Sequence, residues 1–588
     1  MRRMYKVIWK VKKQDEEKAR DLAKKLSILP ITASLLLNRN IENEEEGKKF
    51  LSPTLHDLHD PFLLEGMEQA VLRLGRAIKN REPIFLQGDY DVDGICATAL
   101  LAKQLTELGG IVFCHLPDRH KEGHGISSYA VKKAIELKVG VFLTVDCGSS
   151  SHHQVESLND YGIDVIITDH HEMRQNPPSL ATINPRASSS YPYKDLAGVG
   201  VAFKVAQALG RFFNDNEKSL YDKLDLVALG TIADLSSLLG ENRVLVKFGL
   251  EKLANEPSKG LATLKKVIGL NGYIDSHKAS FILAPRLNAP GRMKTPWKAL
   301  ELLVANKEEK RIEICQELET LNRERRSLES EILREIQSEL EKLDLERDYI
   351  IVIKGKNWHR GLLGLVASKL VEMYQRPAFV LSQHEDVIKG SGRSIPSFNL
   401  YKALEEVSNL LSNFGGHNFA VGIELKVSKF EEFKEKINEI ARRSLSYEEL
   451  LPYKEVESIL QFSEITERLA GEVSLFAPHG IDNPEPLFLS ENVEIKQRHP
   501  SPNGRYEILF LRQAGRELKC LSPVKLLNGI PDRVSVIFAL GFDKQSNLPI
   551  LILKGWVSPE GSIVSEEGEP YLAQLPLWEL WEEEYYYD

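Results

Sequence analysis

The spacing of apolar positions changes several times along the chain, and each change predicts a different kind of element. Up to residue 80 the apolar residues recur at helical intervals. Gln14 to Leu26 is charged and amphipathic, with Pro30 beyond its end. Ile41 to Phe50 repeats the pattern, and Met67 to Lys79 sets Ala70, Leu74, Ala77 and Ile78 on one face. This predicts a helical preface over 1–80. From Glu82, short apolar runs alternate with helical ones. Strands are predicted at Pro83 to Leu86, Gly110 to Leu116, Val139 to Val145 and Ile163 to Thr168. Helices are predicted at Ile95 to Leu108, Ser128 to Lys138 and Ser151 to Tyr161. Strands alternating with helices predict an α/β fold with a parallel sheet.

Further on, Asp225 to Leu235 is an apolar helix, and a second runs from Asn242 to Ala254. Ala284 to Met293 reads as a Pro/Gly-rich loop, and Pro296 to Leu343 as one long charged helix. Asp348 to Leu445 is a second α/β unit, with strands at Tyr349 to Ile353, Ala378 to Leu381 and Val387 to Gly390, and a helix at Gly361 to Tyr374. Short apolar runs at Leu487 to Leu489, Val493 to Lys496, Tyr506 to Leu511, Val534 to Leu540 and Ile550 to Trp556 predict a small β-barrel of OB type. The expected division is a preface (1–80), a catalytic α/β domain (81–295), a connecting helix (296–347), a substrate-binding α/β domain (348–447), an OB-like domain (448–558) and an acidic aromatic tail (559–588).

Composition narrows the picture. A chain of 588 residues exceeds what one core accommodates. The net charge of −9 argues against indiscriminate nucleic-acid binding, but not against a local basic groove. The five cysteines form no CxxC pair, which argues against a zinc ribbon or a disulfide frame and for the reducing cytoplasm. No apolar run is long enough to span a bilayer, so no membrane partner is expected.

The chemistry gathers at strand ends. Asp89, Asp91 and Asp93 follow the first strand at alternate positions, which in extended backbone places them on one side. Three unpaired carboxylates would repel one another, and a hard divalent cation such as Mg²⁺ or Mn²⁺ resolves that conflict. Asp146 follows the third strand and Asp169-His170-His171-Glu172 the fourth, at the edge where α/β proteins build sites. Asp234 ends an apolar helix and would be costly to bury without a partner. Each feature has a plainer reading alone: an acidic turn, a helix cap, a polar surface loop, a solvent-facing helix end. Arg286, Asn288 and Arg292 suit phosphate, or pair with acids in a connector. The segments holding His359, Ser391 with Arg393, and Gly415-Gly416-His417 offer backbone N–H groups and cations to an anion, or are glycine turns with a structural histidine.

Taken together, GDYDVDG, TVDCGSS, TDHHE, ALGTIADL, PRLNAPGR, WHRGLLG, GSGRS and FGGHNFAVG resemble the DHH phosphoesterase superfamily with its DHHA1 partner domain. Within it they resemble the RecJ branch of bacterial single-strand-specific exonucleases. The resemblance runs from near Pro30 to about Trp556. It implies a catalytic two-metal site for Mn²⁺ or Mg²⁺, lined by Asp89, Asp91, Asp93, Asp146, His170 and Asp234. Asp146 would bridge the metals. Asp93, His170 and Asp234 would complete one, and Asp91 with Asp89 the other. His171 would meet the scissile phosphate, and Asp169 would orient the histidines from behind. Where some superfamily members carry a histidine four residues before the second carboxylate, this chain has Gln87.

Arg286, Asn288 and Arg292 would hold a phosphate near the cut. His359, Ser391, Arg393, Gly415, Gly416 and His417 would bind the 5′ end and strand backbone. The implied activity is 5′→3′ hydrolysis of single-stranded DNA to 5′-mononucleotides in repair and recombination. It would be carried out by a cytoplasmic monomer, with a single-strand-binding protein and a RecQ-type helicase as candidate partners. The alternatives are a superfamily phosphoesterase for short oligonucleotides, cyclic dinucleotides or pyrophosphate, and a catalytically dead scaffold. The scaffold reading requires loss of metal ligands that are all present here.

Overall fold

The computed structural model describes residues 5–557, apart from positions 120, 174, 216, 452, 502, 503, 505, 528, 529, 544, 545 and 547, together with 571–575. Two compact units result. One comprises residues 39–323 with 475–485, and the other the described parts of 1–38, 324–474 and 486–587.

The first unit is built on five parallel strands: β1 (Pro83–Gln87), β2 (Ile111–His115), β3 (Val141–Thr144), β4 (Asp164–Thr168) and β5 (Ala181–Ile183), in the order β2-β1-β3-β4-β5. Both faces of this sheet are covered. Phe85, Phe142 and Ile167 pack with Ala130 and Val155 on one side, while Ile84, Leu86, Leu143 and Ile166 join the larger core on the other. The larger core takes in helices α1 (Val92–Glu107), α2 (Gly198–Phe213), α3 (Leu224–Ala233) and α4 (Gly240–Asn255). In this strand order the chain reverses direction across the sheet between β1 and β3. That switch point leaves a crevice at the carboxyl ends of the strands.

The segment 475–485 joins this unit from far along the chain. The guanidinium of Arg243, on α4 and 1% exposed, donates to the carbonyls of Leu475, Phe476, Ala477 and Pro478, and also to that of Phe50. Arg39 Nε donates to Asn483 Oδ1 at 2.6 Å, and Asn483 Nδ2 donates back to the carbonyls of Phe476 and Pro478.

The second unit holds a mixed sheet of β6 (Ile351–Lys356), β7 (Ala378–His384), β8 (Val387–Arg393), β9 (Asn413–Gly416) and β10 (Ala420–Lys426), in the order β9-β10-β8-β7-β6. Only β6 and β7 run parallel, joined through helix α5 (Arg360–Tyr374). Beyond it, β11 (Leu487–Pro500), β12 (Tyr506–Gln513), β13 (Arg516–Pro523), β14 (Arg533–Phe542) and β15 (Pro549–Val557) pair in a circle. β11 is bonded to both β12 and β14, so the sheet closes into the expected five-stranded barrel with OB connectivity.

Four sequence expectations need correction. The preface is not wholly helical: Tyr5–Val11 is a strand between Tyr453–Val456 and Tyr571–Leu575. Its Tyr-Lys-Val-Ile-Trp-Lys-Val pattern favours extended chain, but its partners lie hundreds of residues away. α1 begins at Val92 rather than Ile95, because Asp91 caps it, accepting from the Gly94 N–H. Ala284–Met293 is a helix, entered through a π-helical turn at Ala279–Leu283. Pro285 sits in its first turn, where a missing N–H costs nothing. The long charged run is two helices, Trp297–Val304 and Glu308–Leu340, broken at 305–307. Apart from the strand 571–575, the acidic aromatic tail lies outside the described residues.

Candidate metal centre

The carboxyl ends of β1, β3 and β4 deliver the expected side chains to one place. Asp93 lies in the first turn of α1 and is 1% exposed. Its Oδ2 accepts the Gly198 N–H at 2.7 Å and its Oδ1 the Val199 N–H at 2.8 Å, so the amino end of α2 holds it. Asp146, one residue past Val145, has a left-handed φ of 59° that takes the chain sharply out of the strand. His170 follows β4, with Nε2 3.1 Å from Asp146 Oδ1 and 4.0 Å from Asp93 Oδ2. Asp234 caps the carboxyl end of α3 and accepts from the Ser236 hydroxyl. Donor atoms of Asp93, His170 and Asp234 lie within 4.8 Å of one another, as do those of Asp146, His170 and His171.

The electrostatics of this cluster suit a cation. Burial first, and then the Asp146 and Asp234 carboxylates, hold the Asp93 carboxyl well above the usual range. Burial and the charge of Asp91 do the same to Asp146. Burial, with Asp89 next, pushes Asp91 up to about 6. His170 Nε2 is buried and makes no hydrogen bond among the described residues, although carboxylate oxygens surround it. An imidazole nitrogen left bare among three carboxylates is a donor set suited to a divalent cation of the Mn²⁺ or Mg²⁺ type, and the residues present fit such an ion.

Behind the cluster, Asp169 fixes the two histidines. Its Oδ1 accepts the His170 and His171 N–H groups at 2.8 and 3.2 Å and the His171 ring Nδ1 at 2.8 Å. Its Oδ2 accepts the Ser149 N–H at 2.9 Å. Burial disfavours the charge on Asp169, yet the His171 hydrogen bond and charge outweigh it and hold the carboxyl well below its usual range. Burial likewise opposes a charged His171, and the same partnership pushes its imidazole up to about 9. With Nδ1 committed to Asp169, His171 keeps Nε2 clear of that carboxylate.

Other expected residues sit differently. Asp89 is buried, with Oδ1 on the Tyr90 N–H and Oδ2 3.3 Å from His124 Nδ1. It belongs to neither close donor group. Gln87 donates through Nε2 to the Gly125 carbonyl at 2.7 Å. Arg286 is buried, bound to Glu319 Oε2 at 2.7 Å and to the Ile282 carbonyl at 2.6 Å. That guanidinium is engaged within the unit. Asn288 and Arg292, on the same helix, are half-buried.

In the second unit, Ser391 and Arg393 lie on β8 beside α5. A Cβ on Gly364 would come within 2.8 Å of Arg393 Nη2 and 3.6 Å of Ser391 Oγ. His359 caps α5. Gly415 and Gly416 form the end of β9, paired with Gly422 and Val421, and His417 is exposed in the turn that follows.

The sequence reading missed α2 entirely, and with it Gly198 and Val199. A Cβ on Gly198 would lie 2.5 Å from Asp146 Oδ1, and one on Gly230 2.9 Å from Asp93 Oδ1, so both glycines make room for the ligands. It also missed Asn184, which donates to the His171 carbonyl at 2.9 Å. The signal for α2 was Lys204, Gln207 and Arg211 at helical spacing in an otherwise apolar, small-residue run. Every position from Val199 to Leu209 is buried, Lys204 and Gln207 included.

Three family models match the chain: the DHH family N-terminal domain over residues 83–231, the DHHA1 domain over 347–443 and the RecJ OB domain over 456–522. The chain is 35% identical over 576 residues to the single-stranded-DNA-specific exonuclease RecJ of Bacillus subtilis (strain 168), covering 96% of this chain and 72% of the relative. The crystal structure of RecJ from Thermus thermophilus in complex with Mn²⁺ superposes with a TM-score of 0.79 at 29% identity, over 95% of this chain and 81% of that one. The Mg²⁺ complex of the same protein gives 0.74 at 28% identity, over 94% and 79%.

Proposed function

Because the chain belongs to the RecJ family of single-stranded-DNA-specific exonucleases, we propose that its Asp–His cluster hydrolyses single-stranded DNA from the 5′ end and releases 5′-mononucleotides. The observation that carries this reading is the bare, buried Nε2 of His170 among carboxylates. Asp93, Asp146, His170 and Asp234 would hold one divalent cation, and Asp146 and Asp91, with Asp89, would hold a second. Divalent cations bound there supply Lewis-acid charge to the phosphoryl oxygens and acidify water.

The protein's own groups do the rest. The amino end of α2 and Asp169 keep Asp93, His170 and His171 in place without reorganisation. His171, charged through Asp169, donates from Nε2 to a non-bridging oxygen of the scissile phosphate. A water oxygen forms the new bond to phosphorus. The bond to the 3′ oxygen breaks, and that oxygen leaves with a proton as the hydroxyl of the released nucleotide. The shortened strand keeps a 5′-phosphate.

Asn288 and Arg292 bind the phosphate beside the cut. Arg286 contributes by tying its helix to Glu319. His359, Ser391, Arg393, Gly415, Gly416 and His417 bind the strand backbone within residues 348–447, and the barrel within 448–558 holds it further along. The catalytic domain is assigned to 81–295, between the preface (1–80) and the connecting helix (296–347). The enzyme works as a cytoplasmic monomer, in keeping with its five free cysteines, with a single-strand-binding protein and a RecQ-type helicase as partners. Among the described residues, no helix is long and apolar enough to cross a membrane. A phosphoesterase for small substrates is not favoured, because such a substrate needs no OB domain.

The test is a time course on one single-stranded oligonucleotide, labelled at the 5′ end and separately at the 3′ end, with Mn²⁺, Mg²⁺ or EDTA. Immediate release of a labelled mononucleotide from the 5′ label, with a descending ladder from the 3′ label, is expected. Digestion from the 3′ end, or cleavage of a dinucleotide alone, contradicts the reading.

A further inference from the structure

The turn between β9 and β10 consists of His417, Asn418 and Phe419. Its backbone is pinned from several directions. The His417 N–H donates to the Ala420 carbonyl at 2.9 Å, the Asn418 carbonyl accepts from the Leu400 N–H at 2.8 Å, and the Phe419 carbonyl accepts from the Ser394 N–H at 3.0 Å. Asn399 Nδ2 also holds Asn418 Oδ1 at 3.0 Å. On this fixed frame Phe419 is 51% exposed, and its ring makes no ring contact among the described residues.

A single exposed apolar side chain is ordinary; the neighbourhood of this one is not. Ala420, next to it, pairs with Arg393 on β8. Two pairs further along, Ser391, Gly422 and Gly415 stand in register across three strands. Gly416 is required by its own geometry, with a φ of 136° and the Ala420 carbonyl oxygen where a Cβ would collide with it. Gly415 and Gly422 are not. A Cβ on Gly415 would meet nothing within 4 Å, and one on Gly422 nothing nearer than 3.9 Å. Glycine in a strand weakens it, and where no clash demands it, it marks a place where another chain comes close. Three adjacent features result: a floor of bare backbone, a guanidinium beside it, and an aromatic ring on a pinned turn at its end. Single-strand grooves combine these elements, because every base has a π-face and every linkage a charge.

We propose that Phe419 is a stacking platform for one nucleobase of the bound strand, whose sugar–phosphate chain passes over Gly415 and Gly422 beside Arg393. The inference rests on the strand-binding role assigned above to this sheet. It adds a contact with a base that is indifferent to which base is present, and it makes Phe419 a substrate-positioning residue.

The test measures binding of the full chain, in EDTA to prevent cleavage, to a single-stranded oligonucleotide and to a set of copies in which one abasic residue is walked from the 5′ end. Removing one base at a single position, and Phe419→Ala on the intact strand, should each weaken binding about 5- to 150-fold. The two losses should not add, and Phe419→Trp should restore affinity. Equal weakening of intact and abasic strands by Phe419→Ala, or unchanged binding, overturns the proposal. If Arg393→Ala weakens binding while Phe419→Ala does not, stacking alone fails. If neither does, the strand-binding role of the sheet fails with it.

Discussion

The backbone N–H of Gly198 donates to Asp93 Oδ2 at 2.7 Å, while the missing side chain of the same glycine leaves space filled by the Asp146 carboxylate. One residue at the start of α2 thus positions two carboxylates of the cluster, one on α1 and one in the turn after β3. In Gly198→Ala the new Cβ would lie 2.5 Å from Asp146 Oδ1. The expected outcome is a folded protein whose Mn²⁺ affinity, by titration calorimetry, falls about 10- to 100-fold, as when a support of a metal ligand is lost. Unchanged affinity would mean that Asp146 shifts without consequence.

Asp93→Ala and His170→Ala remove donors that no neighbour replaces. Each should lower turnover on single-stranded DNA by at least about 10²–10³-fold, with circular dichroism unchanged. Wild-type rates in either purified variant would sink the site assignment.

Like charges crowd the metal-free cluster, so occupancy should stabilise the fold. Mn²⁺ at a hundred times its dissociation constant should add about 2.7 kcal/mol, read as a higher Tm than in EDTA. Asp146→Asn relieves repulsion on Asp93 and Asp91, so its Tm in EDTA should equal or exceed that of the parent, and the rise with Mn²⁺ should shrink. A variant that responds to Mn²⁺ as the parent does places the ion elsewhere.

Arg393→Ala and His417→Ala should raise KM for single strands more than they lower kcat. Loss of one phosphate contact should reduce the salt dependence of binding by about one unit of slope for Arg393→Ala. An identical slope would argue that Arg393 only supports its sheet beside Gly364.

Arg243 gathers five carbonyls, and among the described residues no carboxylate pairs with it. Arg243→Met leaves those acceptors buried, each costing about 1–3 kcal/mol where water cannot reach. Arg243→Lys should rescue poorly, since an ammonium has three donors and no planar fork. Denaturant unfolding should show both variants destabilised; parental stability in Arg243→Met would mean that water replaces the guanidinium freely.

Much of the site was legible because its carriers are local. The strand pattern of Ile84 to Leu86 and of Ile163 to Thr168 places whatever follows at a sheet edge, and Asp146 and His170 follow their own strands at once. The alternation of Asp89, Asp91 and Asp93 predicts extended chain. The helix starting at Val92 instead sends Asp93 to α2 and leaves Asp89 beside His124. Arg286 looked available for phosphate, since an arginine in a Pro/Gly-rich stretch carries no mark of its partner. Glu319, 33 positions away, claims it.

By itself, the sequence determined most element types, the parallel α/β and barrel classes, and which residue kinds stand at strand ends, because these follow from periodicities of a few residues. Only the tertiary structure decided which carboxylates lie together, since that depends on strand order and on backbone groups such as the Gly198 N–H and the Ser149 N–H. Only it decided that 475–485 belongs with the catalytic unit, and that Tyr5–Val11 is a strand. Such pairings join residues hundreds of positions apart, and no local pattern of apolar and polar positions encodes them.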